Sequence, residues 1–477
     1  MAGALANGTA WPSDDHGAEY SVVHFVRVIV EPERADAAAE PQEPWFRALD
    51  RRQWYTLCAA NMGWLFDGYE TYALIITVNV AFRDLLPPDR YASIPVYAGL
   101  TLAVTLLGWG IGGIVGGIAA DYIGRKRTLM YSIVAYSATT GLTALAWSWT
   151  SFVLLRLIVG FALGSEWGTG TSMVAEMWPD KHRGKGAGLM QCGLGIGFFI
   201  ASAVWFFVGG WGPSAWRVMF VIGVLPGFAA IWVRRHVDEP SKWAESDRRR
   251  REARAAESRG EQIAGSHRHL TRFTLADLLA TPATRRLTIV AFVMSTATTL
   301  GWWGISTWVP PYVASVAARQ GLPATRWASL AGMAYNAGAV CGYVLLGFFA
   351  DAWGRKPVVI AWFGLAFLLT PVLFLWTHNL SLLLVACAVN AVFSLGQYTW
   401  CSTWLPEAFP TRIRGTAVSF CFNAPRFVAF LGPLLAGTLI AYFGDYGRAA
   451  LLVSLVYIIG MAATPFFPET RGLPLPD

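Results

Sequence analysis

The sequence predicts an all-α integral membrane protein, with twelve transmembrane helices arranged in two pseudo-symmetric six-helix bundles. Hydrophobic residues make up 55% of the 477 residues and charged residues only 14%, and the mean hydropathy is +0.43. This balance is more apolar than that of a soluble domain. In addition, Gly117–Arg127 recurs as Gly347–Lys356, and Glu176–Gly184 recurs at nearly the same separation as Glu407–Gly415. The repeats indicate a duplicated membrane unit.

Two sets of six apolar runs supply the predicted helices, each run being long enough to cross about 30 Å of hydrocarbon. The first set lies near 54–82, 96–120, 128–148, 151–175, 185–209 and 216–235. The second set lies near 287–316, 327–350, 357–377, 380–404, 416–442 and 447–467. Arg and Lys concentrate in alternate loops, so the positive-inside rule predicts a multi-pass protein of the cell membrane (inner or plasma membrane) with both termini in the cytoplasm.

The same pattern divides the chain into five segments. Residues 1–50 are polar and rich in Ala, Glu and Pro, which predicts a disordered cytoplasmic tail. The N-terminal bundle spans 51–235 and the C-terminal bundle spans 286–468. Between them, 236–285 form a basic cytoplasmic linker, and 469–477 form a second cytoplasmic tail.

Composition also limits the function classes. The formal net charge of +7 comes from basic residues in short loops at helix ends, so we expect membrane lipid and no nucleic acid as a partner. The six cysteines form no CxxC pair and no secreted-type spacing, which argues against disulfides and zinc. Since no catalytic constellation, phosphate-binding loop or metal cluster is visible, we expect neither an enzyme nor a cofactor.

The polar N-terminus and the basic linker each support one further expectation. Residues 1–20 lack the basic start and apolar core of a cleavable signal peptide, so the first transmembrane helix is expected to direct membrane insertion. The linker contains the run Arg248–Arg251. That run is either part of a surface helix held by anionic lipid or part of a solvated connection between the bundles.

The repeated loop Gly117-x-x-x-Asp-x-x-Gly-Arg-Lys resembles the signature of the major facilitator superfamily of transporters, and the resemblance extends over roughly residues 50–470. It implies two bundles around a midplane cavity, with alternating access by rocking of the halves. Two further segments, Asp67-Gly-Tyr-Glu70 and Gly-Ser-Glu166-Trp-Gly, resemble those of sialate-type and organic-acid (aromatic acid, monocarboxylate) proton symporters. Glu70 replaces the second aspartate of that pattern.

Four ionisable residues in the first bundle are the candidates for proton coupling. Asp67 and Glu70 lie three positions apart, hence on one helix face, and each costs about 2.5–3.5 kcal/mol near mid-bilayer. Their mutual repulsion favours holding a proton; alternatively, neighbouring helices satisfy them structurally. Arg156 resembles the proton-transfer arginine of the superfamily, and its buried guanidinium needs Asp67 or Glu70. Glu166 is either a proton site or a structural hydrogen-bonding group. Near it, Gly160, Gly164 and Gly168 form a small-residue stripe for close helix packing.

The substrate-site candidates are polar and aromatic residues within apolar runs. Trp302 and Trp303 lie between glycines and ahead of a double proline, which predicts a bent helix lining a cavity; an interfacial aromatic belt is the alternative. Arg426 is a deep cation that a substrate carboxylate would satisfy, unless it snorkels or pairs with a backbone carbonyl. The remaining candidates are Gln191, Tyr335, Asn336, Gln397, Tyr398 and Asn423.

The loop motifs supply candidates for gating. We expect them to form cytoplasmic ion-pair networks that hold the halves together in one conformation and release them in another. The residues concerned are Asp121, Arg125, Glu176, Arg183, Asp351, Arg355, Glu407 and Arg414.

Together, the residues and the resemblance favour proton-coupled import of a small organic anion, a carboxylate. The partners are then that small-molecule substrate, protons and membrane lipid. The ending Pro468-Glu-Thr-Arg-Gly472, which resembles that of sugar and organic-solute porters, keeps open a sugar or neutral-solute porter, or an exporter. The long N-terminal tail and basic linker keep open a non-transporting membrane sensor.

Overall fold

The computed structural model describes residues 44–259, 272–431, 439 and 442–476. Most of the predicted N-terminal tail and part of the linker lie outside these residues. The described residues contain α, 3₁₀ and π helices and no strand, which confirms the all-α class. The chain divides into two compact units, Met1–Ala48 and Leu49–Asp477. In the described part of the first unit, the chain makes a turn in which the Arg47 backbone N–H donates to the Pro44 carbonyl, 2.8 Å away.

The helices of the larger unit follow the duplicated order of the sequence. Those up to the linker are α1 (Arg51–Leu85), α2 (Ile94–Ile123), α3 (Arg125–Thr143), α4 (Trp149–Met177), α5 (Arg183–Val208), α6 (Ala215–Ile222) and α7 (Pro226–His236). Those of the linker are α8 (Ser241–Ser258) and α9 (Thr274–Asp277). Those after it are α10 (Pro282–Ile305), α11 (Val309–Arg319), α12 (Ala324–Trp353), α13 (Arg355–Pro371), α14 (Leu380–Ser394), α15 (Thr399–Ala408), α16 (Arg414–Asn423), α17 (Arg426–Ala429), α18 (Tyr446–Ser454) and α19 (Val456–Ala463).

Helices occur at all twelve predicted positions. Within the described ranges, nine stretches are long and apolar enough to cross a membrane. Four of them are broken spans, in which α6 continues into α7, α10 into α11, α14 into α15 and α18 into α19. The other three positions hold α1, which carries two buried carboxylates, the more polar α3, and α16 with α17, whose predicted run extends into residues that are not described.

Glycine allows α2 and α4 to pack backbone against backbone. A Cβ atom on Gly112 would lie 1.8 Å from the Phe161 carbonyl oxygen, and Cβ atoms on Gly160 and Gly164 would lie 2.2 and 2.3 Å from backbone carbonyls of α2. No side chain fits at such distances. Two of the three glycines in the predicted stripe therefore serve this contact, as small-residue packing in membranes requires.

The span formed by α10 and α11 is bent, as the Trp-Pro-rich sequence predicts. A 3₁₀ segment, Ser306–Trp308, separates the two helices. On the near side of the bend, Gly301 packs against the Tyr457 ring, and a Cβ atom there would lie 2.2 Å from a ring carbon. This close approach places Trp302 and Trp303, both buried, at the centre of the structure.

The glycine contact between α2 and α4 generates a stability prediction. Replacing Gly112 by alanine forces the two backbones apart, so we expect a loss of about 1–3 kcal/mol of stability and a lower midpoint of thermal unfolding in detergent. Gly99→Ala is the matched control on the same helix, because no atom lies within 4 Å of a Cβ at that position. Equal unfolding midpoints for the two variants would contradict this packing.

Candidate functional site

An aromatic cavity lies where the two bundles meet. Its volume is about 20 Å³, which is room for roughly one water molecule. The lining residues come from α1, α2 and α5 on one side and from α10, the 3₁₀ turn before α15, α16 and α17 on the other. They are Trp64, Thr71, Trp109, Leu194, Phe198, Trp302, Trp303, Tyr398, Phe422 and Arg426.

Arg426 is the charged group of this cavity. Its helix restarts after a break at Ala424 and Pro425, which turns the side chain inward, where it is only 4% exposed. Nη1 donates to the Phe422 carbonyl at 2.7 Å, and the guanidinium lies 4.7 Å from the Trp109 ring centre and 4.5 Å from that of Phe422. In the part of the chain that the structure describes, the Nε atom has no hydrogen-bond partner. Arg426 is thus held by aromatic faces and one carbonyl, with donor capacity remaining.

Glu70 supplies the carboxylate for Arg156. Nη1 of Arg156 forms an ion pair with Glu70, and both side chains are buried. Nη2 donates to the Thr143 hydroxyl at 2.6 Å, and the Phe220 ring centre lies 4.7 Å from the guanidinium carbon. A second cavity of about 20 Å³ touches this pair and shares Thr71, Trp109 and Trp303 with the aromatic cavity. The two rings among these shared residues, Trp109 and Trp303, are called the aromatic layer below; they line the cavity at the ion pair as well as the one at Arg426.

The carboxyl group of Asp67 has a different neighbour from that of Glu70, although the two residues lie about one helical turn apart. Its carboxyl group faces that of Glu166 within hydrogen-bonding reach. Glu166 itself lies against α1, where a Cβ on Gly63 would be 1.4 Å from Oε1. Both side chains are at most 1% exposed, and none of their four oxygens has another hydrogen-bond partner among the described residues. Two carboxyl groups this close repel one another when both are ionised, and they can hydrogen-bond only if at least one holds a proton.

Of the nine substrate-site candidates, four line the cavity: Trp302, Trp303, Tyr398 and Arg426. Gln191 lies behind it and accepts a hydrogen bond from Trp167, which stacks on Phe422 with ring centres 3.5 Å apart.

The other four candidates form packing contacts beside the cavity. Tyr335 bonds Ser394 at 2.9 Å, and Gln397 donates to the Ser394 carbonyl at 2.8 Å. Asn336 and Asn423 donate to carbonyls of their own helices, those of Gly332 and Ser419.

Sequence reasoning missed several lining residues, namely Trp64, Thr71, Trp109, Leu194, Phe198 and Phe422. Apolar and aromatic residues are ordinary in membrane helices, so their position along the sequence carries no sign of a cavity. Trp64 had the best signal, because it opens the Trp-Leu-Phe-Asp segment of the first helix.

The loop candidates form two matching ion-pair clusters on the side of the basic loops. In one, Arg125 bonds Asp121 at 2.9 Å and Glu176 at 3.0 Å, and Glu176 also bonds Arg414 at 2.9 Å. The first three residues belong to the N-terminal half and Arg414 to the C-terminal half. This cluster therefore crosses between the halves.

The second cluster repeats the arrangement in the opposite direction. Arg355 bonds Asp351 at 3.1 Å and Glu407 at 2.7 Å, and Glu407 bonds Arg183 of the N-terminal half at 3.2 Å. All four side chains are buried in this contact. The eight gating candidates thus meet in two groups of four.

An aspartate from each half also caps the first turn of a helix in the other half. Asp351 accepts from the backbone N–H groups of Gly184 at 3.0 Å and Lys185 at 2.9 Å, in the first turn of α5. Asp121 accepts from those of Gly415 at 3.0 Å and Thr416 at 2.8 Å, in the first turn of α16. Negative charge at a helix N-terminus satisfies unpaired N–H groups and the helix dipole. The two halves are therefore held together on the basic-loop side.

The linker helix α8 adds a further layer to the first cluster. Trp243 Nε1 and Arg250 Nη1 both donate to the Asp121 carbonyl, at 3.0 and 2.6 Å, and Arg250 Nη2 donates to the Arg412 carbonyl of the other half at 3.0 Å. Burial, together with the nearby Arg250 charge, lowers the pKa of Arg412 to about 10. Arg412 also forms an ion pair with Asp277 of α9.

The turns that precede α3 and α13 are alike in the two halves. Gly124 and Gly354 have φ angles of 110° and 100°, which glycine adopts without strain. A glutamate then accepts from the first N–H groups of the helix that follows: Glu239 from those of α3 and Glu469 from those of α13. Burial raises the pKa of Glu239.

Comparison with known proteins identifies the family of this fold. Residues 55–477 match the family described as sugar (and other) transporters. The computed structure resembles the proton:xylose symporter XylE of the major facilitator superfamily, bound to 6-bromo-6-deoxy-D-glucose, with a TM-score of 0.73 and 21% sequence identity. That match covers 89% of this chain and 98% of the other.

Curated relatives span nearly the same length. The cis,cis-muconate transport protein of Acinetobacter baylyi is 29% identical over 382 residues, which cover 79% of this chain and 86% of that protein. The sialic acid transporter NanX of Escherichia coli is 24% identical over 420 residues, 87% of this chain and 93% of that protein.

The unlike environments of Glu70 and Asp67 generate a prediction that needs no substrate. Glu70→Gln leaves Arg156 as a buried cation without its carboxylate, so we expect a loss of about 3–5 kcal/mol of stability. Asp67→Asn is the matched control and should keep or raise stability, because it removes a buried carboxyl that forms no salt bridge with any described residue and faces another carboxyl, that of Glu166. Thermal unfolding monitored by tryptophan fluorescence tests both; greater damage from Asp67→Asn would contradict the pairing.

The capping aspartates generate a second prediction. Asp351→Asn leaves one oxygen and no charge for two N–H groups, so amide hydrogen exchange in the first turn of α5 should accelerate about tenfold or more. Mass spectrometry of hydrogen exchange measures this in the full-length protein. Asp84→Asn, whose carboxylate accepts from Trp216 at the far end of α1, should leave the first turn of α5 unchanged. Unchanged exchange in Asp351→Asn would show that the halves do not depend on this cap.

Proposed function

This chain belongs to the family of sugar (and other) transporters, and from that premise we propose that it imports a small organic carboxylate together with protons. It is a multi-pass membrane transporter of the major facilitator fold. The proposal concerns the finer points, namely the carboxylate, the protons and the direction. Relatives named for transport of cis,cis-muconate and sialic acid, both organic acids, support the carboxylate.

The observation that carries the proposal is the state of Arg426. The guanidinium is buried in a central cavity, and among the described residues it takes part in no salt bridge. A buried cation without a carboxylate is costly. A substrate carboxylate would supply the missing charge and could accept from the free Nε donor. Arg426 is therefore the residue proposed to bind the substrate.

The carboxyl pair of Asp67 and Glu166 is proposed to hold the coupling proton. Asp67 is also within electrostatic reach of Arg426. If Asp67 is ionised, it competes with a substrate carboxylate for the arginine. If the pair is fully protonated, Arg426 is left for the substrate. Proton binding and anion binding then favour one another, as symport requires.

The ion pair of Glu70 and Arg156 is proposed to take part in the same coupling from the other side of the aromatic layer. The Glu70 carboxylate is balanced by Arg156, whereas Asp67 faces another carboxyl, so protonation of Glu70 would break an ion pair. The residues of the two crossing clusters are proposed as the gate. The positive-inside rule assigns the basic loops to the cytoplasm. The side of the protein that the two clusters hold together is then the cytoplasmic side, and the substrate is proposed to reach the cavity from outside.

One observation favours the neutral-solute alternative. Nη1 of Arg426 already bonds the Phe422 carbonyl, and two aromatic rings flank the guanidinium. If these contacts suffice for the cation, the cavity serves a sugar or another neutral solute. This alternative and the carboxylate proposal differ in whether charge on the solute is required.

Proteoliposomes test the proposal directly. A panel of carboxylates and neutral sugars is added outside vesicles at neutral pH, and external pH is recorded. We expect alkalinisation with one or more carboxylates, abolished in Asp67→Asn and reduced at least tenfold in Arg426→Ala. Arg319→Ala is the control for loss of an arginine, because within the described ranges Arg319 hydrogen-bonds only the Ser315 carbonyl of its own helix. Alkalinisation by sugars alone, or an unaffected Arg426→Ala variant, would reject the carboxylate site.

A further inference from the structure

We infer that the aromatic cavity selects a planar, conjugated monocarboxylate that carries a second, uncharged hydrogen-bond acceptor, such as a ring nitrogen or a carbonyl oxygen. This inference rests on the proposed function, because it takes Arg426 as the group that binds the carboxylate. It narrows the substrate from any small organic anion to one defined by shape and by its pattern of acceptors.

The first argument is the unpaired hydrogen-bonding capacity around the cavity. Among the lining residues, the indole N–H groups of Trp64, Trp109 and Trp302, the Thr71 hydroxyl and Nε of Arg426 are buried and have no partner in the described structure. Indole and guanidinium groups can only donate. Buried donors without partners are costly, and three separate indoles in one site are unusual. A ligand rich in acceptors would satisfy them.

The second argument is charge. Arg426 is the one charged residue among those that line the cavity in the described structure. One carboxylate neutralises it, whereas a second charged group would be buried without a counter-ion. The additional acceptor is therefore uncharged.

The third argument is shape. Trp302 and Trp303 meet edge to face with ring centres 4.3 Å apart, and Tyr398 meets Trp302 in the same way at 6.1 Å. Across the cavity, Trp64 and Phe422 are also edge to face, at 6.1 Å. Aromatic faces attract other π systems in stacked or edge-on arrangements. They offer no such advantage to a saturated, puckered ring.

The hydrogen-bonding groups that line the cavity also argue against a sugar as the substrate. Each sugar hydroxyl donates a hydrogen and needs an acceptor for it. Among the lining side chains, only the hydroxyl oxygens of Thr71 and Tyr398 can accept. Most sugar hydroxyls would lose their water partners without replacement.

The ligand must also open the cavity. A ring the size of benzene needs on the order of 150 Å³, against the present volume of about 20 Å³. The lining side chains of the bent α10 and α11 span are therefore expected to move when a ligand enters.

Binding, measured by isothermal titration on the detergent-solubilised full-length protein at neutral pH, tests the inference without relying on proton coupling. The probes are benzoate, pyridine-3-carboxylate, pyridine-4-carboxylate and cyclohexanecarboxylate. We expect the better pyridine carboxylate to bind about tenfold more tightly than benzoate, and benzoate more tightly than the saturated acid. At least one of Trp64→Phe, Trp109→Phe and Trp302→Phe should remove the pyridine preference, because phenylalanine keeps a ring but lacks the N–H donor.

Trp303→Phe is the matched control, since Trp303 lines the cavity but its indole nitrogen is not among the buried unpaired donors. It should weaken benzoate and the pyridine carboxylates alike, and an unchanged unfolding midpoint establishes that each variant is folded. Equal affinity for all four acids, or a pyridine preference that survives all three substitutions, would overturn the inference while leaving the carboxylate site in place. If no acid binds and none drives proton uptake into proteoliposomes, the proposed function fails as well.

Discussion

The structure depends on a reciprocal contact in which an aspartate carboxylate from each half caps the N-terminus of a helix in the other half. Asp121 and Asp351 each accept hydrogen bonds from two backbone N–H groups that have no partner within their own helix. The contact is strong only while both helix ends stay in register with the opposite half. The two caps and their ion-pair clusters are related by the duplication, so both sets of contacts hold the same side of the two halves together.

The buried charges around the cavity differ in whether they have a partner of opposite charge. Glu70 is neutralised by Arg156, whereas Asp67 faces another carboxyl group and Arg426 faces aromatic rings. A static scaffold would gain from pairing every buried charge. The residues left without an opposite charge in the described structure, Asp67 and Arg426, are those proposed to respond to the proton and the anion.

Much of the fold and part of the site could be predicted because they depend on neighbours in the sequence. Apolar length fixed the helix positions, and the repeated loop motifs placed the residues of the two ion-pair clusters. Arg426 stood out because a cation within an apolar run is rare. By contrast, the cavity lining could not be predicted: Trp109 and Phe422 are separated by most of the chain, and aromatic residues facing a cavity look in sequence like those facing lipid.

A duplicated, all-α membrane protein with ionisable groups in its core can be predicted from the sequence, because hydropathy and loop motifs depend on short stretches of chain. How those ionisable groups pair depends on which helices pack together, and this is visible only in the folded protein. Asp67 and Glu70 share a helix face, so the sequence allowed either one to meet Arg156. The approach of α4 placed Glu70 beside Arg156 and Asp67 beside Glu166. Because Arg156 and Glu166 lie ten positions apart along α4, nearly three helical turns, the two carboxyl groups of α1 meet different partners.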